Sequence, residues 1–324
     1  MVKHEQHNKH EDSQTEARRR LESKLRRELG DTVMSALADP AVVEIMLNPD
    51  GTLWEDRHGS GMKPIGALGR VQAENLICTI AGALGTEATR DRPIVEGELP
   101  LDGSRFQGIM PPIVEYPVFA IRKKAVLIYT LEDYVRDGIM TDAQRSILEA
   151  EILKRHNILV VGATGSGKTT FCNAILQRIA EVDPETRIAI IEDTRELQCP
   201  AKNKFPLRTS ENVSMTQLLR ACMRMRPDRI VVGEVRDAAA LALVKAWNTG
   251  HAGGVATVHA NGAEAGLVRM EQLIQEANVQ PNQAVIAEAV NVIVSIQRGK
   301  AGRKVEEICK VERGSSAGYE LKLY

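Results

Sequence analysis

Lys168, Thr169, Glu192, Asp193, Glu234 and His259 are the side chains that suit phosphate chemistry by kind and by position in the sequence. The first two close the run Asn157 to Thr170, NILVVGATGSGKTT, where an apolar segment, Ile158 to Val161, meets a glycine-rich turn and then a helical pattern. A G-x-x-x-x-G-K-[ST] pattern in that setting is a phosphate-binding loop. The pattern alone recurs by chance in long chains; the strand before it and the helix after it decide the reading. Gly162, Gly165 and Gly167 let the backbone take positive φ and come close to a polyphosphate, so that successive N–H groups form an anion nest. The helix expected over Phe171 to Ala180 turns its positive end to the same anion. Gly162, Ala163, Thr164, Gly165, Ser166, Gly167, Lys168, Thr169 and Thr170 therefore form the candidate nucleotide cradle. In it, Lys168 reaches the β- and γ-phosphates and the Thr169 hydroxyl holds Mg²⁺.

Cleaving a γ-phosphate also needs a water held in line and positive charge on the equatorial oxygens. In an open α/β sheet, ligands gather at the carboxyl ends of the strands. Three later apolar runs end in suitable residues: Ile188 to Ile191 leads into Glu192-Asp193, Ile230 to Val232 into Gly233-Glu234, and Val255 to Val258 into His259. Glu234 is the candidate for orienting the water. Glu192 and Asp193 are candidates for binding Mg²⁺ through water or assisting Glu234, and His259 for donating to the γ-phosphate. Singly, an acid at a strand end is as ordinary as a helix cap and a lone histidine as ordinary as a structural one. Their convergence on one edge favours function.

These groups need a scaffold, and the chain supplies it in stages. Met1 to Glu16 reads as a polar, disordered tail in which His4, His7 and His10 are solvated, and Ala17 to Leu37 as a helix with Leu21, Leu25 and Leu29 on one face. The chain divides into 1–30 (tail and start of that helix), 31–125 (an α+β domain), 126–140 (a linker) and 141–324 (the ATPase domain). Strands are expected at Val42 to Leu47, Thr52 to Asp56, Ile94 to Leu99, Arg105 to Met110 and Val118 to Ile121, with a helix at Ala73 to Leu84. After a capping box at Thr141-Asp142-Ala143-Gln144, strand and helix alternate, which implies a mostly parallel sheet covered on both faces. Antiparallel strands from Val292 onward extend one edge.

Composition narrows the class. With 324 residues the chain can bury two cores, and a net charge of -1 gives no global attraction to nucleic acid or anionic membrane. Aromatics make up only 3% of residues, too few for a single-strand stacking platform. Five scattered cysteines without a C-x-x-C pair argue against a disulfide framework or zinc site and fit the cytoplasm. The most apolar late stretch, Ala284 to Ile296, is short and interrupted by Glu288 and Asn291, so no transmembrane segment is expected.

The sequence resembles the secretion ATPases of type IV secretion and conjugal transfer, type II secretion and type IV pili. Their four boxes stand in order: GATGSGKTT, the acidic box IEDTREL (Ile191 to Leu197), RIVVGEVRD (Arg229 to Asp237) and TGHAGGVATVHAN (Thr249 to Asn261). The wording of TLEDYV (Thr130 to Val135) and of Gly138 to Thr170 is most similar to the TrbB kind. The resemblance implies a RecA-like ATPase domain behind a smaller N-terminal α+β domain, and a cytoplasmic homohexamer that hydrolyses ATP with Mg²⁺. It also implies partners among the inner-membrane components of a conjugation channel, without strong direct binding of nucleic acid. On it, Arg105 and Arg122 match arginines offered to the phosphates, Arg269 matches one presented to a neighbouring subunit, and His251 is structural or nucleotide-sensing. Gly233 stands where general phosphate-loop ATPases carry a metal-binding Asp, in agreement with the secretion family. A RecA-type nucleic-acid-stimulated motor would share the core, but the near-zero charge and scarce aromatics count against it. The tetracysteine element of type II motors and the retraction signature of pilus motors are absent.

Overall fold

The computed structural model describes all residues except 1, 58–59, 125–128, 211, 300–301 and 315–317, with side chains from residue 15 onward. Part of the expected linker, 125–128, therefore lies outside the described residues, as do the side chains of His4, His7 and His10. The chain forms two compact units, Met1–Val126 and Leu127–Tyr324.

In the first unit, α1 (Val2–Ala38) begins inside the stretch read as a disordered tail and departs from helical geometry at Gly30, φ 73°. Its early turns carry ion pairs one turn apart, Arg20 with Glu16 and Arg18 with Glu22, which support a helix that has no apolar face there. Strands β1 (Val42–Leu47), β2 (Thr52–Arg57) and β3 (Gly61–Ala67) are followed by α2 (Arg70–Ala83), then β4 (Ile94–Glu98), β5 (Arg105–Ile109) and β6 (Val118–Arg122). They form one antiparallel sheet in the order β3-β2-β1-β6-β5-β4. Alternate residues such as Ile45, Phe106 and Ile121 pack with Leu25 and Leu29 of α1 and Leu76 and Ile80 of α2. That leaves the residues between them on the other face.

The second unit opens with α3 (Leu131–Arg136) in a stretch read as linker. Thr130 and Asp133 form a capping box, and Tyr134 packs edge-on against Phe171 with ring centroids 5.1 Å apart. It continues through α4 (Asp142–Leu153), β7 (Ile158–Gly162), α5 (Lys168–Val182), β8 (Ile188–Glu192), β9 (Lys204–Arg208), α6 (Met215–Cys222), β10 (Arg229–Val232) and α7 (Ala239–Asn248). Then come β11 (Val255–His259), α8 (Ala263–Gln275), α9 (Gln283–Ala289), β12 (Val292–Gly299), β13 (Gly302–Arg313) and β14 (Tyr319–Leu323). The sheet order is β14-β13-β12-β7-β11-β10-β8-β9. Strands β12 to β9 in that order run parallel, while β13 and β14 extend the edge antiparallel. Apolar clusters cover both faces, so the central strands are apolar throughout, as in Ile158–Gly162.

Two details fix the centre of this sheet. Asn157 receives a bond from Gly254 N, donates to the Ala289 carbonyl and is itself held by Asn291, which ties β7 to the segments leading into β11 and β12. At the other flank, Val305 of β13 donates to the Ile139 carbonyl at 2.8 Å and accepts from Gln144 at 3.1 Å.

Candidate active site

The loop between β7 and α5 has the geometry that its glycines require. Gly165 and Gly167 take φ of +72° and +100°, the left-handed region that side-chain-bearing residues avoid. Gly162, expected with them, does not take a positive φ; its reason is space, since a Cβ there would stand 2.3 Å from the Ile296 carbonyl and 2.5 Å from Ser166 Oγ. Ala163, Thr164 and Gly165 are exposed, whereas Ser166 and Lys168 are buried beneath them. Thr169 and Thr170 are half-buried in the first turn of α5.

Lys168 donates to the carbonyls of Gly162 at 2.9 Å and Ala163 at 3.0 Å, and lies 3.2 Å from His259 Nδ1. An ammonium has only donors, so Nδ1 is the acceptor and Nε2 carries the proton. Nε2 faces Glu234 Oε1 at 2.7 Å, and the other carboxylate oxygen accepts from Arg236. Arg236 also lies 4.0 Å from Asp193, whose other oxygen accepts from the Thr209 hydroxyl at 2.9 Å. Lys168, His259, Glu234, Arg236 and Asp193 thus form one contact chain across the ends of β7, β11, β10 and β8.

The sheet register produces this meeting. His259 is paired with Gly162, so the last residue of β11 stands beside the first of the loop. Past β10, Val235 N bonds to the Thr257 carbonyl and the Thr257 hydroxyl bonds to the Gly233 carbonyl, which carries Glu234 along β11 towards His259. Burial pushes the Glu234 carboxyl up, but the hydrogen bond and charge of Arg236, with His259 and Lys168, outweigh it and hold the group below its ordinary range.

Glu192 is 4% exposed and its Oε1 accepts the backbone N–H groups of Glu196 at 2.9 Å and Leu197 at 2.8 Å. It braces the acidic-box loop, and a consequence is that Glu196 Oε2 meets the Thr169 hydroxyl at 3.3 Å. The same packing explains Gly233, because a Cβ there would stand 2.9 Å from Glu192 Cγ. Glu196 and Arg236 are residues that no sequence pattern points to. Each lies in a box, but in a loop without period, and only the fold brings it to the site.

The remaining candidates lie elsewhere. His251 Nδ1 donates to the Pro227 carbonyl at 2.9 Å, at the entry ends of β10 and β11, the edge of the sheet away from the loop. Arg269 is on α8 and bonds Gln272 of its own helix at 3.3 Å. Arg105 and Arg122 belong to the first unit, where they are paired across β5 and β6. Among the described residues no three His, Cys, Asp or Glu side chains gather into a metal cage. The hydroxyl of Thr169 beside the carboxylate of Glu196 is a partial oxygen set. It suits Mg²⁺, which keeps several waters and binds through one or two protein groups plus substrate phosphates.

The family described as Type II/IV secretion system protein matches residues 89–317. The chain belongs to that family. A "Probable conjugal transfer protein TrbB" of Sinorhizobium fredii is 52% identical over 303 residues, covering 94% of this chain and 93% of the relative. The conjugal transfer protein TrbB of Rhizobium radiobacter is 50% identical over 305 residues and covers 94% of each. Among solved structures, the Legionella pneumophila ATPase DotB superposes with a TM-score of 0.63 at 18% identity, covering 88% of this chain and 80% of that one. That likeness bears on the fold alone, a RecA-like α/β domain with a second α/β unit. Membership in the type II/IV secretion family, with TrbB proteins at half identity, agrees with the four boxes in the sequence.

Proposed function

We propose that this chain is a Mg²⁺-dependent ATPase that works as a homohexamer in the cytoplasm. In this reading it powers assembly or substrate transfer at the inner-membrane components of a conjugative type IV secretion system. The observation that carries the reading is the contact chain Lys168–His259–Glu234 at the mouth of the phosphate loop. It is supported by half identity to conjugal transfer proteins over nearly the whole length. Among the described residues no helix is long and apolar enough to cross a membrane, so attachment to a channel falls to partners.

The chemistry comes from the groups present. Lys168 exchanges the loop carbonyls for the β- and γ-phosphates. Glu234, kept ionised by Arg236, holds an attacking water in line, and His259 passes the presence of the γ-phosphate to that carboxylate. Mg²⁺, when bound, would supply positive charge to the phosphates; Thr169 would hold it, with Glu196 and Asp193 through water, while Glu192 braces the loop that carries Glu196. Arg105 and Arg122 add charge from the N-terminal unit, and Arg269 faces a neighbouring subunit in the ring. Steady-state ATPase assays test the core of this. Lys168→Ala loses turnover about a hundredfold or more, and Glu234→Gln retains ATP without cleaving it. Hydrolysis at the wild-type rate by Glu234→Gln would withdraw its role. Native mass measured with and without ATP tests the ring.

A further inference from the structure

The phosphate loop is approached from a second direction, by the β12–β13 hairpin. Strand β12 pairs with β7 as far as Ser295 opposite Val161, and its pairing with β13 shifts register between Ser295 and Ile296. That bulge sets the Ile296 carbonyl against Gly162. Bulges concentrate beside active sites because they re-aim the strand beyond them. Here the hairpin runs on past the end of β7 to its last pair, Gly299 opposite Gly302.

Two arginines stand just inside that last pair. Arg298 is directly opposite Arg303, so both side chains are on one face of the hairpin. Like charges placed opposite each other are destabilising unless an anion joins them. Arg303 leans over the loop, with its Cδ 3.0 Å and its Nε 3.1 Å from where a Cβ on Gly167 would stand. Only a glycine at that point lets the stem lie so close. The Nε is buried and has no hydrogen-bond partner, an expensive state for a group that always carries charge. The guanidinium also lies near enough to Tyr134, itself packed on Phe171 of α5, for its charge to oppose the upward push of burial on that hydroxyl. Gly167 is the N-cap of α5 and Tyr134 packs on Phe171 in its first turn, so both of these neighbours of Arg303 belong to the phosphate-loop end of α5.

We propose that Arg303, with Arg298 beside it, binds the phosphates of the nucleotide, as an arm that the C-terminal hairpin extends over Gly167. The proposal rests on the nucleotide-binding reading above and adds a contact from an element outside the four boxes. An arginine–phosphate contact is charge-assisted and bidentate, which a packing role for the stem would not require.

The test measures binding of ATP and of inorganic pyrophosphate to the full chain by calorimetry. Arg303→Gln keeps most of the stem and removes the charge. We expect it to weaken both ligands by about tenfold or more, with Arg303→Lys recovering part of the loss and the melting temperature not falling. Wild-type affinity of Arg303→Gln for both ligands, with the wild type binding normally, overturns the proposal and leaves the ATPase reading intact. Loss of ATP affinity with pyrophosphate unchanged also overturns it, by moving the contact to base or ribose. A wild-type chain that binds neither ligand removes the ATPase reading first and this one with it. Should Arg303→Gln not fold, Arg298→Gln at the exposed partner position carries the same comparison, with a smaller loss expected and no loss overturning the role of the pair.

Discussion

Arg105 and Arg122 stand directly opposite each other on β5 and β6, two positive charges in register on one face of the N-terminal sheet. The row continues to Glu44 on β1, opposite Arg122, and to Glu98 on β4, opposite Arg105. Four strands therefore present acid, base, base and acid side by side, so the flanking carboxylates offset the repulsion at the centre. Such a row holds two guanidinium groups together at small cost to the fold. Substituting Arg122→Gln should leave stability within about half a kcal/mol of wild type, while kcat for ATP falls about tenfold or more if the row serves the phosphates. Thermal unfolding beside ATPase kinetics checks both halves. A large loss of stability would make the pair structural.

His259 joins a cation to a carboxylate, accepting from Lys168 on one nitrogen and facing Glu234 with the other. His259→Ala should lower kcat about ten- to a hundredfold and leave KM for ATP nearly unchanged, since the cradle itself is intact. Equal losses in kcat and 1/KM would place the histidine in binding.

The acid limb of the pH–rate profile should belong to Glu234. Its folded pKa is depressed below 4.5, so the ionised form persists below the ordinary carboxylate range and activity falls only as pH drops through the lowered value. Arg236→Ala removes the leading downward cause and leaves burial, which acts upward. The acid limb should therefore move to higher pH, read from kcat/KM across a buffer series. By the same sign, the stability that Glu234 contributes is present above its unfolded pKa and fades as pH falls, and in Arg236→Ala that contribution shrinks.

Gly233→Asp writes the metal-binding acid of general phosphate-loop ATPases into this chain. Its Cβ would arrive 2.9 Å from Glu192 Cγ. Overpacking of this kind costs about 1–3 kcal/mol, and moving Glu192 releases the amides of Glu196 and Leu197. The variant should melt earlier and turn over more slowly; a gain in activity would show that the glycine is not there for Glu192.

Glu196→Gln tests the partner of Thr169. The Mg²⁺ concentration for half-maximal activity should rise several-fold, about 10-fold for loss of an outer ligand, with stability unchanged because Glu192 still holds the loop by its backbone.

Much of the site was legible in the sequence because its residues sit where apolar runs stop. Glu192, Glu234 and His259 each follow or close a buried parallel strand, and such strands read as unbroken apolar segments. The misses have physical reasons. Strand β3, GMKPIGA, is mostly exposed and carries glycine and proline, and β9 is an edge strand through Pro206, so neither shows a buried face. Helix α3 announced itself by Thr130 and Asp133, but its short span hid any period. Arg303 was invisible because a bulge and a long-range register put it on Gly167, and neither is written in neighbouring residues.

The bonds at Val305 have a mechanical meaning. Ile139, which follows α3, and Gln144, in the first turn of α4, are both fastened to that one residue of β13, two positions from Arg303. A pull on the joint between α3 and α4 is thus borne by the strand that carries the arginine, like a rein sewn to a bit.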